Sequence, residues 1–350
     1  MSLSPIPNPP FPIESTGWEP FQAHYEELMT MPLDDGNVRD WLSRWSDLNR
    51  LVEEAGAVAY INSSLDTADQ EAERAFLNYV ENVAPNYSRA DQALKQRLLA
   101  VTADDEALGP DMAIAVRNIR NQADLFREAN IPLLTELAKL GNEYDKITGG
   151  LKADWEGEER NLNQLDALLR EPDRDVRERA WKLMMGLWLG KREELNNLYR
   201  RMLELRRRIA ENAGLANYRD YVFRAYNRFD YTPNDCLRFH DAIERVVVPA
   251  AARVYERRRA QLDLHQLRPW DMAVDPADAP PLAPYKGQDA LIQGSLNIME
   301  RVDPALARQL ALMAEESLLD LDTRAGKALG GYCNNLTWRQ RPFIFLNGVG

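Results

Sequence analysis

Apolar residues recur along this chain with the 3.6-residue period of an amphipathic helix, and that period restricts its fold more than any other feature. Trp41, Trp45, Leu48 and Val52 fall on one stripe. Segments from about Thr67 to Asn82, Arg89 to Val101, Met112 to Phe126 and Ile131 to Tyr144 repeat the pattern. They share no fixed repeat length, so a solenoid is not expected. Of the 350 residues, 45% are apolar, which is enough for a sizeable core. The longest apolar runs fall short of the roughly 18–20 residues of a membrane span.

The period breaks near Ile147. Thr148-Gly149-Gly150 signals a turn, and Leu151 to Gly157 alternates apolar and polar like a hairpin arm. Asp173 to Asn212 reads as the longest helix. Its stripe of Val176, Ala180, Leu183 and Leu187 and a second of Trp181, Met185 and Trp188 predict packing between neighbours, with the Trp and Met residues in the core. Gly214 is a helix stop. Thr232-Pro233-Asn234-Asp235 is a helix start: the hydroxyl accepts a backbone N–H, proline suits the first turn, and Asp235 complements the positive end. That helix should reach about Arg259 with a kink at Pro249. The proline-rich run from Arg268 to Pro284 reads as a connector. Asp303-Pro304 starts another helix, with Leu306, Leu310 and Met313 on its buried stripe. Gly326, Gly330 and Gly331 then end the helical period, and Tyr332-Cys333 and Phe343 to Leu346 read as short strands.

The expected fold is therefore mainly α, with a small β excursion near 148–160 and a short strand pair near 330–347. Its expected parts are an extended segment (1–18), an N-terminal helical lobe (19–146), a central helical region with the hairpin (147–265), the connector (266–286) and a last region (287–350).

A net charge of −12 argues against nucleic acid or acidic lipid as a partner of the whole surface. Arg200, Arg201, Arg206, Arg207 and Arg208 lie among Glu193, Glu194, Glu204 and Glu211. They are expected to form a solvated helix face with ion pairs one turn apart, the alternative being a nucleic-acid patch. The two cysteines, Cys236 and Cys333, are far apart and match no paired spacing, which fits a reducing cytoplasm. Met1 to Trp18 has no basic run followed by an apolar core and so does not read as a secretory signal.

The chemistry-bearing residues are sparse. His24, His240 and His265 are not part of HExxH or another compact zinc signature. His240 and Glu244, four apart on a predicted helix, could face one ion or be an ordinary helix pair. Gly326-Lys327 lacks the rest of a phosphate loop. Cys333 is either a nucleophile or a small residue in a packed strand. No reaction follows from these residues alone.

Several segments resemble the oligoendopeptidase F and Pz-peptidase branch of the thimet oligopeptidase family. They are Ile131-Pro-Leu-Leu-Thr-Glu-Leu-Ala-Lys-Leu, Glu143-Tyr-Asp-Lys-Ile, Trp155-Glu-Gly-Glu-Glu, Arg177-Glu-Arg-Ala-Trp, Asn217-Tyr-Arg-Asp-Tyr-Val-Phe-Arg, Phe229-Asp-Tyr-Thr-Pro-Asn-Asp-Cys and Leu267-Arg-Pro-Trp-Asp. The most specific are Asp322-Thr-Arg-Ala-Gly-Lys-Ala-Leu-Gly-Gly-Tyr-Cys333 and Pro342-Phe-Ile-Phe-Leu-Asn347. In order, they cover most of residues 130–350; the part before is compatible through its helices.

The resemblance implies a two-lobed helical fold with a deep cleft that admits short peptides and excludes folded proteins. It implies a single zinc held by HExxH and a later Glu, with the motif Glu as general base. In the family that helix follows soon after the segment like Pro342 to Asn347, so this chain is expected to stop before the start of the zinc site, to bind no zinc itself and to belong to a longer polypeptide. What carries over is a wall of the cleft: Gly330, Gly331, Tyr332 and Cys333, on a strand that can pair with an extended peptide. The glycines would allow close approach, or they merely turn the chain into a core strand. Phe343 and Phe345 are expected in the core or near the substrate. The competing reading is a non-catalytic scaffold that binds peptides or a partner. A large uncovered apolar face would favour the truncated peptidase, and self-association is then expected.

Overall fold

A computed structural model describes residues 17–349 apart from 35, 105, 278, 280 and 281. Nearly all of the segment expected at 1–18, and Gly350, lie outside the described residues. Helices α1 (Glu19–Thr30), α2 (Val38–Leu65), α3 (Gln70–Asn78), α4 (Ala84–Val101), α5 (Ala113–Leu125) and α6 (Ile131–Gly149) come first. The Trp41, Trp45, Leu48 and Val52 stripe is buried on α2, which packs it against Phe21 and Tyr25 of α1 and Leu94 and Leu98 of α4.

The gap expected before Arg89 is absent. Instead, a π turn at Tyr79–Val83 joins α3 to α4. Pro85 has no N–H to give the α-helical ladder, and the Ala84 N–H reaches back five residues to the Tyr79 carbonyl.

Strands β1 (Lys152–Trp155) and β2 (Glu158–Asn161) form the expected hairpin, turning through Glu156 and Gly157, both at positive φ. Then follow α7 (Leu162–Ala167), α8 (Arg174–Gly190) and α9 (Arg192–Asn212). The single long helix expected over 173–212 is thus two. Gly190 weakens the ladder, the Lys191 N–H turns back to Trp188, and α9 leaves to pack on α6. Arg177, Ala180 and Met184 are the buried residues of α8, whereas Trp181, Met185 and Trp188 are half-buried at the margin of that core. Arg201 is not paired along its own helix as expected; it bridges Glu136 and Glu143 of α6 at 3.2 and 3.3 Å. At Gly214 the Leu215 N–H closes α9 on the Ala210 carbonyl.

Next come α10 (Tyr218–Ala225), α11 (Pro233–Ala242), α12 (Val248–Gln261) and α13 (Gly287–Val302). The Thr232 cap forms as expected, its hydroxyl accepting from the Asp235 N–H. Asp235 is held below the usual carboxylate range chiefly by the hydrogen bonds from Thr232. The kink expected at Pro249 takes the form of a second π turn, Ile243–Val247. None of the described residues of α10 to α13 is buried. Phe239, Val246, Val247, Val254 and Ile298 are each more than half exposed.

The connector does more than span a gap. Trp270, Asp271 and Val274 are buried. Arg174 grips Asp271 with two hydrogen bonds of 2.9 Å, and Arg177 adds one of 3.3 Å while donating to the Trp270 carbonyl. Arg258 of α12 donates to the Asp271 carbonyl at 2.8 Å.

Helix α14 (Pro304–Glu315) buries Ala307 and Met313; Leu306, expected on that stripe, faces out, because the contact side runs through Ala307. The expected strand pair is a three-stranded sheet of β3 (Leu319–Asp322), β4 (Tyr332–Leu336) and β5 (Arg341–Gly348) in the order β3-β5-β4. β5 runs parallel to β3 and antiparallel to β4.

Candidate functional site

The strand carrying Tyr332 and Cys333 lies at the sheet edge, since β5 takes the centre. Alternation directs Tyr332, Asn334 and Leu336 to the face packed on α2, and Cys333 and Asn335 outward, where they are exposed. Phe343 and Phe345 lie in the core beneath the sheet, Phe345 stacked on Tyr332 with centroids 4.6 Å apart. Ile61 of α2 joins the same core. Ser64, one turn on, meets the Tyr332 hydroxyl at 2.7 Å, and the Tyr60 ring lies 5.6 Å from that of Tyr332. Burial pushes the Tyr332 hydroxyl well above the ordinary phenol range.

Two buried charges fix this edge. Glu54 of α2 is fully buried; it accepts from the Trp338 and Arg339 N–H groups at 2.7 and 2.9 Å and pairs with the Arg339 guanidinium. It thereby holds the β4–β5 turn. Lys327 is buried under the opposite end. Its ammonium donates to the carbonyls of Asp320, Asp322 and Leu346 and to the Asp320 carboxylate, and it lies over the Phe345 ring. Burial draws the ammonium below the usual lysine range against the pull of Asp320. Burial alone would raise the Asp320 carboxyl, but Arg324 and Lys327 outweigh it and hold it low.

The two glycines differ. Gly330 has φ +87 and open space where a Cβ would sit, so it makes the turn into β4. At Gly331 a Cβ would press on Leu346 Cδ2 at 3.0 Å and the Phe345 carbonyl at 3.2 Å, so this glycine lets β5 come close. The Asn347 amide donates to the Ala328 and Gly330 carbonyls and fixes the entry to the strand.

The fold brings Gly330, Gly331, Tyr332 and Cys333 together and leaves the other candidates apart. His240 and Glu244 are exposed on α11 and the π turn after it. Among the described residues no group of three or more His, Cys, Asp or Glu side chains is placed to hold a metal ion. Both cysteines are free, Cys333 on the outer face of β4 and Cys236 half-buried on α11. The supports Glu54, Ser64 and Lys327 were not singled out from sequence as part of this site. Glu54 and Ser64 precede β4 by more than 260 residues, and their only local signal is a polar residue interrupting the apolar run of α2.

What this arrangement offers chemically is a strand edge left unpaired among the described residues, with a rigid backing. Residues 167–350 match the sequence model of peptidase family M3, and residues 10–126 match that of the peptidase M3 N-terminal domain. A search of curated proteins gives no match. Among solved structures, Pz peptidase A with an inhibitor superposes at a TM-score of 0.88 with 24% identity, over 94% of this chain and 59% of that one. A protein described as oligoendopeptidase F gives 0.88 with 25% identity, over 95% and 59%. One so described from Bacillus anthracis str. Ames gives 0.85 with 21% identity, over 99% and 62%. The chain thus spans about six-tenths of the length of the proteins it matches.

Proposed function

The chain belongs to peptidase family M3, and from that premise we propose that it is the helical, substrate-side lobe of a zinc-dependent oligopeptidase that hydrolyses short peptides in the cytoplasm. The observation that carries this reading is the open edge of β4, backed by α2 and held at both ends by buried charges, within the segment that matches the family. An extended peptide laid along that edge would exchange backbone hydrogen bonds with it whatever its sequence. Gly330, Gly331, Tyr332 and Cys333 are the proposed contacts, with Gly330 leaving room beside the peptide.

This chain's residues do not fit a catalytic zinc. HExxH does not occur in the sequence, and the histidines sit on separate elements. We therefore assign the metal, its ligands and the general base to polypeptide other than these 350 residues, in a second lobe facing β4 across a cleft. The exposed apolar side chains of α11, α12 and the π turn between them support this division, because surface of that kind calls for a cover. No helix of the described residues is long and apolar enough to cross a membrane.

The test is to read the gene beyond the codon for Gly350, express the polypeptide that continues through an HExxH helix, and assay quenched fluorescent peptides. Hydrolysis that a chelator abolishes and zinc restores, confined to short peptides, is expected. A zinc-loaded protein that cuts no peptide overturns the reading, and a reading frame that ends without the motif favours a peptide-binding scaffold.

A further inference from the structure

Beside the proposed strand a cavity of about 710 Å³ opens between α2, α3, α6 and α9, lined by Tyr60, Phe76, Tyr144, Tyr199 and Met202. One acidic side chain, Asp145 near the C-terminal end of α6, stands in this wall. The carboxylates around it have partners: Glu73 binds Lys146 and the Asn142 amide, and Glu143 binds Arg201. Asp145 has no hydrogen-bond or ion-pair partner for its carboxylate among the described residues. Burial accordingly pushes it up to about 6. Arg206 lines the same cavity but not the same end. α6 and α9 run antiparallel, Asn130 meeting the Ile209 carbonyl, so Arg206 faces the first half of α6. There it lies over the Tyr218 ring.

The cavity communicates with the strand through rings. Phe76 neighbours Tyr60 at 6.0 Å, and Tyr60 neighbours Tyr332 on β4 at 5.6 Å. Burial first, and then the negative charge of Asp145, raise the Tyr60 hydroxyl, so Asp145 and the ring next to β4 share one environment. A peptide paired with β4 sends alternate side chains to the face that Tyr332 occupies, which is the face toward Tyr60. Aromatic walls around an unpartnered carboxylate suit a cation on an apolar stem.

Building on the peptide-cleft reading, we propose that this cavity is a specificity subsite for a lysine or arginine side chain of the bound peptide, its charge met by Asp145 and its stem lying on Tyr60, Phe76 and Tyr199. The ammonium or guanidinium would supply the counter-charge that Asp145 lacks, and the aromatic faces would hold the methylenes.

The test is fluorescence anisotropy on the polypeptide that continues through an HExxH helix, stripped of metal with a chelator so that it cannot cut, with fluorescein-labelled hexaalanine peptides carrying lysine, norleucine or glutamate at each position in turn. At one position lysine is expected to bind about tenfold more tightly than norleucine, and glutamate more weakly than either. Asp145→Asn should erase the lysine-over-norleucine ratio and Asp145→Glu should retain part of it. Asp111→Asn, at an exposed ion pair with Arg39, should leave it unchanged. Because Asp145→Asn removes a desolvated charge, its melting temperature should hold or rise, separating a lost ratio from a lost fold. Binding with equal affinity for lysine and norleucine at every position overturns the subsite and leaves the peptide cleft standing. Absence of binding by every peptide overturns both.

Discussion

Helices α1 to α9 and helices α10 to α13 are made from similar amphipathic sequence, yet they use it differently. In the first group each helix buries at least one side chain, as α2 does with Trp41 and Val52 at 0% exposure. In the second no described residue is buried, and Phe239, Val246 and Val247 are 65%, 68% and 53% exposed. Helix α13 lays Leu291 and Ile292, half-buried, against the core under the sheet, and what holds α10 to α12 is largely polar. Asn121 of α5 donates to the Arg224 carbonyl at 2.7 Å, Arg117 lies over the Phe229 ring, and Arg258 reaches the Asp271 carbonyl. The contrast teaches that helical periodicity reports which side of a helix seeks cover without naming the cover. Hydrogen bonds can dock a helix whose apolar side still awaits contact.

The largest effects should come from the cored half. Phe345→Ala empties a fully buried position under the sheet and should cost about 3–5 kcal/mol in chemical denaturation. An effect below about 1 kcal/mol would mean that the sheet is not part of the cooperative core.

Asp271→Asn should cost about 3 kcal/mol, because it leaves Arg174 and the buried Arg177 without their counter-charge. Burial alone would raise the Asp271 carboxyl, but the hydrogen bonds from Arg174, the Arg268 N–H and Arg177 outweigh it and hold it low. Its stabilising contribution is therefore present above about pH 4 and is lost as pH falls through the lower folded value. Denaturation curves from pH 3 to 7 should show parent and variant converging toward acid; a constant gap would contradict this assignment.

Asp145 should act with the opposite sign. Its folded value of about 6 lies above the ordinary carboxylate range, so the folded state holds the proton more tightly and loses stability as pH rises toward 6. Asp145→Asn should be more stable than the parent by about 1 kcal/mol above pH 6, after allowance for partial exposure, and equal to it near pH 4.

The smallest effect on folding belongs to the uncovered half. Phe239→Ser with Val247→Ser should change stability by less than about 0.5 kcal/mol. The pair should reduce self-association in sedimentation and the binding of an apolar dye. A large loss of stability would show that these side chains are covered after all, and would dissolve the contrast.

Much of this was legible in the sequence where the cause is local. Thr232-Pro233-Asn234-Asp235 announced its cap, and the stripe from Trp41 to Val52 announced a buried face. β3 escaped notice because Leu319 to Asp322 is four residues long and follows a helix closely. Its partner β5 begins beyond two loops and another strand, at Arg341. The break at Lys191 was hidden by an unbroken helical period on both sides. At the candidate site, Gly330 to Cys333 could be picked out as a glycine-led strand. Glu54, Ser64 and Asp145 could not, because a carboxylate or hydroxyl on a helix looks solvated until its surroundings are known.

The π turns before Pro85 and Pro249 have a consequence for how related chains should be compared. A π turn accommodates one residue more than the α-helix around it, and one residue is about 100° of helical rotation. Removing a single residue between Ile243 and Val247 would close the π turn to ordinary α-helix and leave Val254 of α12 facing as it does now relative to Phe239 on α11, whereas the same deletion in regular helix would swing α12 by that angle. A relative lacking that residue would keep the same strip of α12 outward, with every later position one number lower. An alignment drawn through this point without a gap would therefore assign the wrong side chains to the exposed strip of α12.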